Sequence, residues 1–312
     1  MKRLSPLLIL LSCLVLIATA CSTNDAEGKQ AHLTIYTSIY PIQYAVERIG
    51  AGHIVAKTIY PPGVDAHTYE PSAKDMTDIA DSDAFIYLGM GMESFAETAA
   101  GALTSNEDSP MLVEIGQHHE LFAEGHHDHH EHDGHDHGDH DPHIWFDPIR
   151  MTNMADIVKE ALIELDPAHA DEFKTNFKSL KNDLEDLDQD FQHTLQNNPK
   201  RQIVVSHAAY GYWEERYGIE QIPVSGLSSS EEPSQKQLVS IIEQAKAYDV
   251  KYMIFEQNTS NRVAEIIQEN IGAEALVIHN LSVLTENDID NGRDYLSIMK
   301  DNLQVLDTAT SY

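Results

Sequence analysis

Short apolar runs alternate with amphipathic stretches along most of this chain, a pattern of strands and helices taken in turn. Leu33-Thr34-Ile35-Tyr36, Ile54-Val55-Ala56-Lys57-Thr58-Ile59 and Ala84-Phe85-Ile86-Tyr87-Leu88 read as strands between helices. The alternation resumes with Ile203-Val204-Val205, Tyr252-Met253-Ile254-Phe255 and Ala275-Leu276-Val277-Ile278, each followed by helical spacing. Such alternation predicts α/β architecture, and its interruption in mid-chain predicts two α/β lobes.

Between the two series, Phe173, Phe177, Leu180, Leu184, Leu187, Phe191 and Leu195 recur at three- and four-residue steps, after a helix-start signal at Asp166-Pro167. They predict one rigid linking helix over residues 166–197, about 45 Å long at 1.5 Å per residue. A coiled-coil arm is the alternative, but the stripe covers only about four heptads and its phenylalanines suit packing on a lobe. The predicted organisation is therefore an N-terminal lobe over 31–165, the linking helix, and a C-terminal lobe over 198–312, in a monomer. Glu70-Pro71-Ser72-Ala73-Lys74-Asp75-Met76 is echoed by Glu232-Pro233-Ser234-Gln235-Lys236-Gln237-Leu238, and both read as serine-capped helix starts.

The N-terminal pattern is different. Lys2 and Arg3 precede an apolar run from Leu4 to Ala20, and Cys21 is followed by polar residues. This predicts a signal peptide over 1–20, lipidation at Cys21 and an anchored linker over 21–30, with the protein on the extracytoplasmic face of the cell membrane. Ala18-Thr19-Ala20-Cys21 resembles a lipobox, with Ala18 where leucine is usual. An uncleaved anchor is the alternative, though the run is short of the roughly 20 residues that span a bilayer. Cleavage before Cys21 also removes Cys13, so a metal site must use His, Asp, Glu or water. The formal charge of −31 becomes more negative when Lys2 and Arg3 leave, which argues against nucleic acid as a partner.

Composition shifts again over 117–142, where imidazoles and carboxylates are interleaved with almost no apolar residue. His126, His127, His129, His130, His132, His135, His137 and His140 predict a flexible accessory collector of zinc-like ions; a solvated low-complexity loop is the alternative. Three other histidines stand in loop-like contexts. His67 follows Pro61-Pro62-Gly63-Val64-Asp65-Ala66, His143 precedes Ile144-Trp145-Phe146-Asp147, and His207 ends Val204-Val205-Ser206. Singly, each reads as a structural histidine; together they offer three imidazoles from both lobes to one ion.

The motifs around His67, His143 and His207, the Glu232-Pro233-Ser234 helix start, Phe255-Glu256-Gln257-Asn258 and Leu284-Thr285 resemble the zinc branch of the metal-binding solute-binding lipoproteins of bacterial ABC transporters. The resemblance implies two α/β lobes joined by a rigid helix, with Zn2+ held in the cleft by His67, His143 and His207. It also implies delivery of the ion to a permease driven by a cytoplasmic ATPase. Manganese-binding relatives tend to carry a carboxylate at the position of His207, and three imidazoles suit zinc better. Many relatives add an Asp or Glu after the last strand, whereas this chain has His279-Asn280-Leu281-Ser282 there. Water is therefore the expected fourth ligand, with His279 or a loop histidine as substitutes.

Two other readings compete. One is a surface metal store or adhesin whose active part is the His-rich loop. The other is a zinc hydrolase, since three histidines and a water also make a catalytic zinc site. No His-Glu-x-x-His helix, Gly-rich phosphate loop or nucleophile elbow accompanies the histidines, and Glu70 and Glu256 read as structural carboxylates, so no enzymatic activity is expected.

Overall fold

The computed structural model describes residues 32–103, 109–122, 140–257 and 262–312. The signal segment, Cys21 and the loop histidines from His126 to His137 lie outside the described residues. Among the described residues, no helix is long and apolar enough to cross a membrane.

The first lobe runs β1 (Leu33–Thr37), α1 (Tyr40–Gly50), β2 (Ile54–Thr58), α2 (Ala73–Ala80), β3 (Ala84–Tyr87), α3 (Ala96–Leu103) and β4 (Met111–Glu114). Its strands are parallel in the order β2-β1-β3-β4. The second runs β5 (Gln202–His207), α6 (Gly211–Tyr217), β6 (Glu220–Ser225), α7 (Gln235–Ala247), β7 (Tyr252–Glu256), α8 (Arg262–Ile271) and β8 (Glu274–Ile278). Its order, β6-β5-β7-β8, repeats that of the first. The sequence echo falls at equivalent places: Ser72 and Ser234 each close a capping box, with Asp75 and Gln237, at the starts of α2 and α7.

Six strands coincide with the apolar runs; β4 and β6 do not. Both are edge strands. Residues Met111–Glu114 are all half-buried, and β6 contains Pro223, which an edge strand tolerates because the missing N–H need not pair outward.

Two long helices, α4 (Pro148–Leu165) and α5 (Ala170–Leu195), join the lobes. The expected cap at Asp166-Pro167 is different in detail. Pro167–His169 form a separate turn, Asp166 has no side-chain cap bond, and its Oδ2 meets His169 Nδ1 at 2.5 Å. That four-residue connection lets α4 and α5 pack together as a helical hairpin. The linking helix is thus braced by a neighbour, and its buried stripe includes Phe173, Leu180, Leu184, Leu187, Phe191 and Leu195.

The linking helix is pinned to both lobes by side chains. Near its middle, Asp183 pairs with Arg48 of α1 at 2.5 Å, and Asn176 donates to the Ile49 carbonyl. Further along, buried Asp188 accepts from Arg216 Nε at 2.5 Å and from Tyr217 Oη at 2.9 Å, both on α6. Burial opposes the charge on Asp188, but Arg216 and Tyr217 hold its carboxyl below the usual range. After β8, α9 (Glu286–Asp290) leads to α10 (Tyr295–Thr310), which packs back on α5 and stacks Tyr295 against Tyr44 of α1 with ring centroids 5.5 Å apart.

Glu93 lies buried at the end of β3, accepting from the Leu88 and Gly89 N–H groups at 3.1 and 2.9 Å. Burial pushes its carboxyl up to about 7 despite these donors and Ser38. Because the folded state binds this proton more tightly than the unfolded chain, its contribution to stability is complete below about pH 4.5. It is lost as pH rises through about 7, an effect of roughly 3 kcal/mol. Urea unfolding between pH 5 and 8 should therefore give a less negative stability slope for Glu93→Gln than for the parent chain. Equal slopes would rule out titration of Glu93 in this range.

Candidate metal centre

Ligand-bearing loops leave the carboxyl ends of the strands, the usual functional edge of open α/β sheets. His67 is carried by the loop between β2 and α2, where its backbone N–H donates to Asp65 Oδ1 at 2.8 Å. His143 lies between β4 and α4, immediately before a buried turn formed by Ile144, Trp145 and Phe146. His207 is the last residue of β5, so sheet pairing fixes its backbone.

The fold brings these three separated residues together. One nitrogen from each ring lies within 4.8 Å of the others. His67 Nε2 and His143 Nε2 are 3.3 Å apart. Two nitrogens held tetrahedrally at 2.0–2.1 Å from one zinc would be separated by about 3.3 Å. His207 Nε2 is buried and has no hydrogen-bond partner among the described residues. His143 and His207 are 1% and 3% exposed, so water cannot compensate for this arrangement from an open surface.

Carboxylates stand behind two of the rings. His143 Nδ1 meets Asp141 Oδ1 at 2.7 Å, and the same oxygen accepts from the His143 N–H at 3.0 Å. His207 Nδ1 meets Glu256 Oε1. Each contact favours the Nδ1–H tautomer, leaving Nε2 with a lone pair for a metal. Glu256 also accepts from Tyr210 Oη at 3.1 Å and Asn280 Nδ2 at 3.0 Å. Burial opposes its charge, but His207, Asn280 and Tyr210 hold its carboxyl down at about 2. Glu256 is thus a partner of the site, beyond the structural role expected from sequence.

Burial, followed by the neighbouring His143 and His207, pushes His67 well below the ordinary histidine range and keeps it neutral. His207 moves the other way: burial opposes its charge, but Glu256 raises its pKa. The space between the rings is about 10 Å³ and is lined also by Asp65, Met92, Trp145, Ser229, Asn280 and Ser282. That is room for a bare ion or one water.

His279 does not join this group. Its Nδ1 accepts from the Leu281 N–H at 2.9 Å, and its Nε2 meets Asp288 Oδ2 at 3.0 Å, so both ring nitrogens are engaged elsewhere. Ser282 lines the cavity, but its hydroxyl donates to Asn280 Oδ1 at 2.9 Å. His140 lies at the return of the His-rich segment, its ring centroid 6.5 Å from that of His119. The described ends of the segment assigned to 117–142 are packed: Leu121, Phe122 and Asp141 are buried. Sequence reasoning missed Asp141 because it is one of many acids in the loop; the Asp-Pro-His spacing was its only local signal.

The family model for the zinc-uptake complex component A, periplasmic, matches residues 35–309. Zinc-binding protein AdcA from Streptococcus pyogenes serotype M3 is 32% identical over 295 residues, covering 91% of this chain and 57% of the relative. The chain thus spans little more than half the length of that relative. The high-affinity zinc uptake system protein ZnuA of Bacillus subtilis is 30% identical over 312 residues, covering 98% of this chain and 97% of the relative. A crystal structure of ZnuA superposes with a TM-score of 0.76 at 27% identity, covering 90% of this chain and all of that one. With two matching lobes and a three-histidine cluster between them, the chain belongs to the ZnuA family of zinc-uptake complex components.

Proposed function

We propose that this chain captures zinc outside the cytoplasmic membrane and delivers it to a permease powered by a cytoplasmic ATPase. His67, His143 and His207 are the proposed protein ligands, with water in the fourth position. The observation that carries this reading is the convergence of three imidazole nitrogens within 4.8 Å, with His143 and His207 buried and His67 half-buried. In this proposal Cys21 carries the lipid anchor, the protein acts as a monomer, and the histidines of the loop gather zinc for the deeper site. Its relationship to AdcA and ZnuA supports the choice of zinc as cargo.

We assign the chain no enzymatic activity, a reading supported by its membership of a zinc-uptake family.

Zinc calorimetry on the chain beginning after Cys21, with manganese as a control, tests the proposal. A companion deletion should be confined to residues 123–139, because Leu121, Phe122 and Asp141 are packed. One tight zinc should bind both proteins, with a weaker set present only when the loop is intact. Weak binding alone, lost with the deletion, would favour the metal store or adhesin.

A further inference from the structure

We propose that Tyr210-Gly211-Tyr212 is a brace that positions His143 and His207 from opposite lobes without touching the metal. This inference rests on the zinc-site reading above. The segment follows β5 after Ala208-Ala209 and opens α6, so the strand that presents His207 also sets the position of the brace. Tyr210 Oη donates to Glu256 Oε1 at 3.1 Å, supporting the carboxylate that faces His207 Nδ1. Tyr212 Oη donates to the Asp141 carbonyl at 2.6 Å, crossing to the segment that carries His143. Between them, Gly211 gives the Asp141 carboxylate its space: an added Cβ would lie 2.8 Å from Oδ2.

Gly211 therefore lets the second lobe approach the carboxylate that orients a first-lobe imidazole. Alanine there would push Asp141 against His143, whose Nδ1 and N–H both depend on Asp141 Oδ1. The Tyr210 ring is held by Trp213 and Phe146, each with ring centroids 4.9 Å away, so its hydroxyl has a fixed aim. Removing either support loosens an imidazole while leaving all three histidines in the chain. Groups that orient metal-bound histidines commonly influence metal affinity by about 10–100-fold.

Tyr210→Phe and Gly211→Ala should each weaken tight zinc binding about tenfold and shift the visible spectrum of bound cobalt(II), with the far-UV circular dichroism retained. Tyr217→Phe is the control, because Tyr217 lies on the same helix but donates to Asp188. It should lower stability with zinc affinity and the cobalt spectrum unchanged. If Gly211→Ala does not fold, Tyr210→Phe carries the test. Parent-like affinity and spectrum in Tyr210→Phe, with tight binding lost in His207→Ala, would overturn the brace and leave the ligand assignment standing. Tight binding retained in His207→Ala would overturn both.

Discussion

His207→Ala should weaken tight zinc binding at least about a hundredfold. Zinc sites with four ligands contribute about 10–16 kcal/mol, or about 3 kcal/mol per ligand if shared evenly, and each 1.4 kcal/mol is a factor of ten. Among the described residues, His207 has no neighbouring substitute: His279 is tied to Asp288 and the Leu281 N–H, and Ser282 to Asn280. The substitution also leaves the buried Glu256 carboxylate without its imidazole partner, adding a cost to the metal-free fold. Chelator competition provides the affinity. Thermal unfolding gives a second readout, since free zinc at 100 times the dissociation constant stabilises the folded chain by about 2.7 kcal/mol. Unchanged tight binding in His207→Ala would remove His207 from the ligand set.

Trp145→Ala should cost about 3–5 kcal/mol of stability and weaken zinc binding as well. Trp145 is completely buried, and its ring meets His143 edge-on with centroids 5.3 Å apart. Its Nε1 donates to the Asn280 carbonyl at 2.9 Å, and its own carbonyl accepts from Tyr295 Oη at 2.6 Å. One residue thus fills the wall of the cavity and ties the first lobe to two segments of the second. Truncation opens a void, strands the Asn280 carbonyl and admits water beside His143. Urea denaturation measures the stability loss, and zinc calorimetry on the folded fraction measures the second effect. A loss below about 1 kcal/mol would mean that the surrounding aromatic residues collapse into the void.

The periodicity of apolar residues was sufficient for six strands and for the buried face of the linking helix. It did not extend to β4, or to β6, which opens on Glu220-Gln221 and is interrupted by Pro223. The helix-start signal at Asp166-Pro167 was real but local: the chain used it for a turn between two helices, a choice made by the packing of α4 on α5. His67, His143 and His207 stood out by their motif contexts. Asp141 and Glu256 did not, because a carboxylate's importance here lies in which imidazole it meets.

Local sequence pattern encodes the alternation that makes two α/β lobes, the repeated serine caps, the helix that joins the lobes and the three histidine motifs. These are properties of short segments, set by side-chain period and local backbone preference. Long-range packing brings residues 67, 143 and 207 to one cavity, occupies His279 elsewhere, and lets Gly211 seat a carboxylate from the other lobe. Those outcomes depend on ångström-scale approach between segments far apart in the chain, which is set when both lobes pack against α5 and no local pattern encodes it.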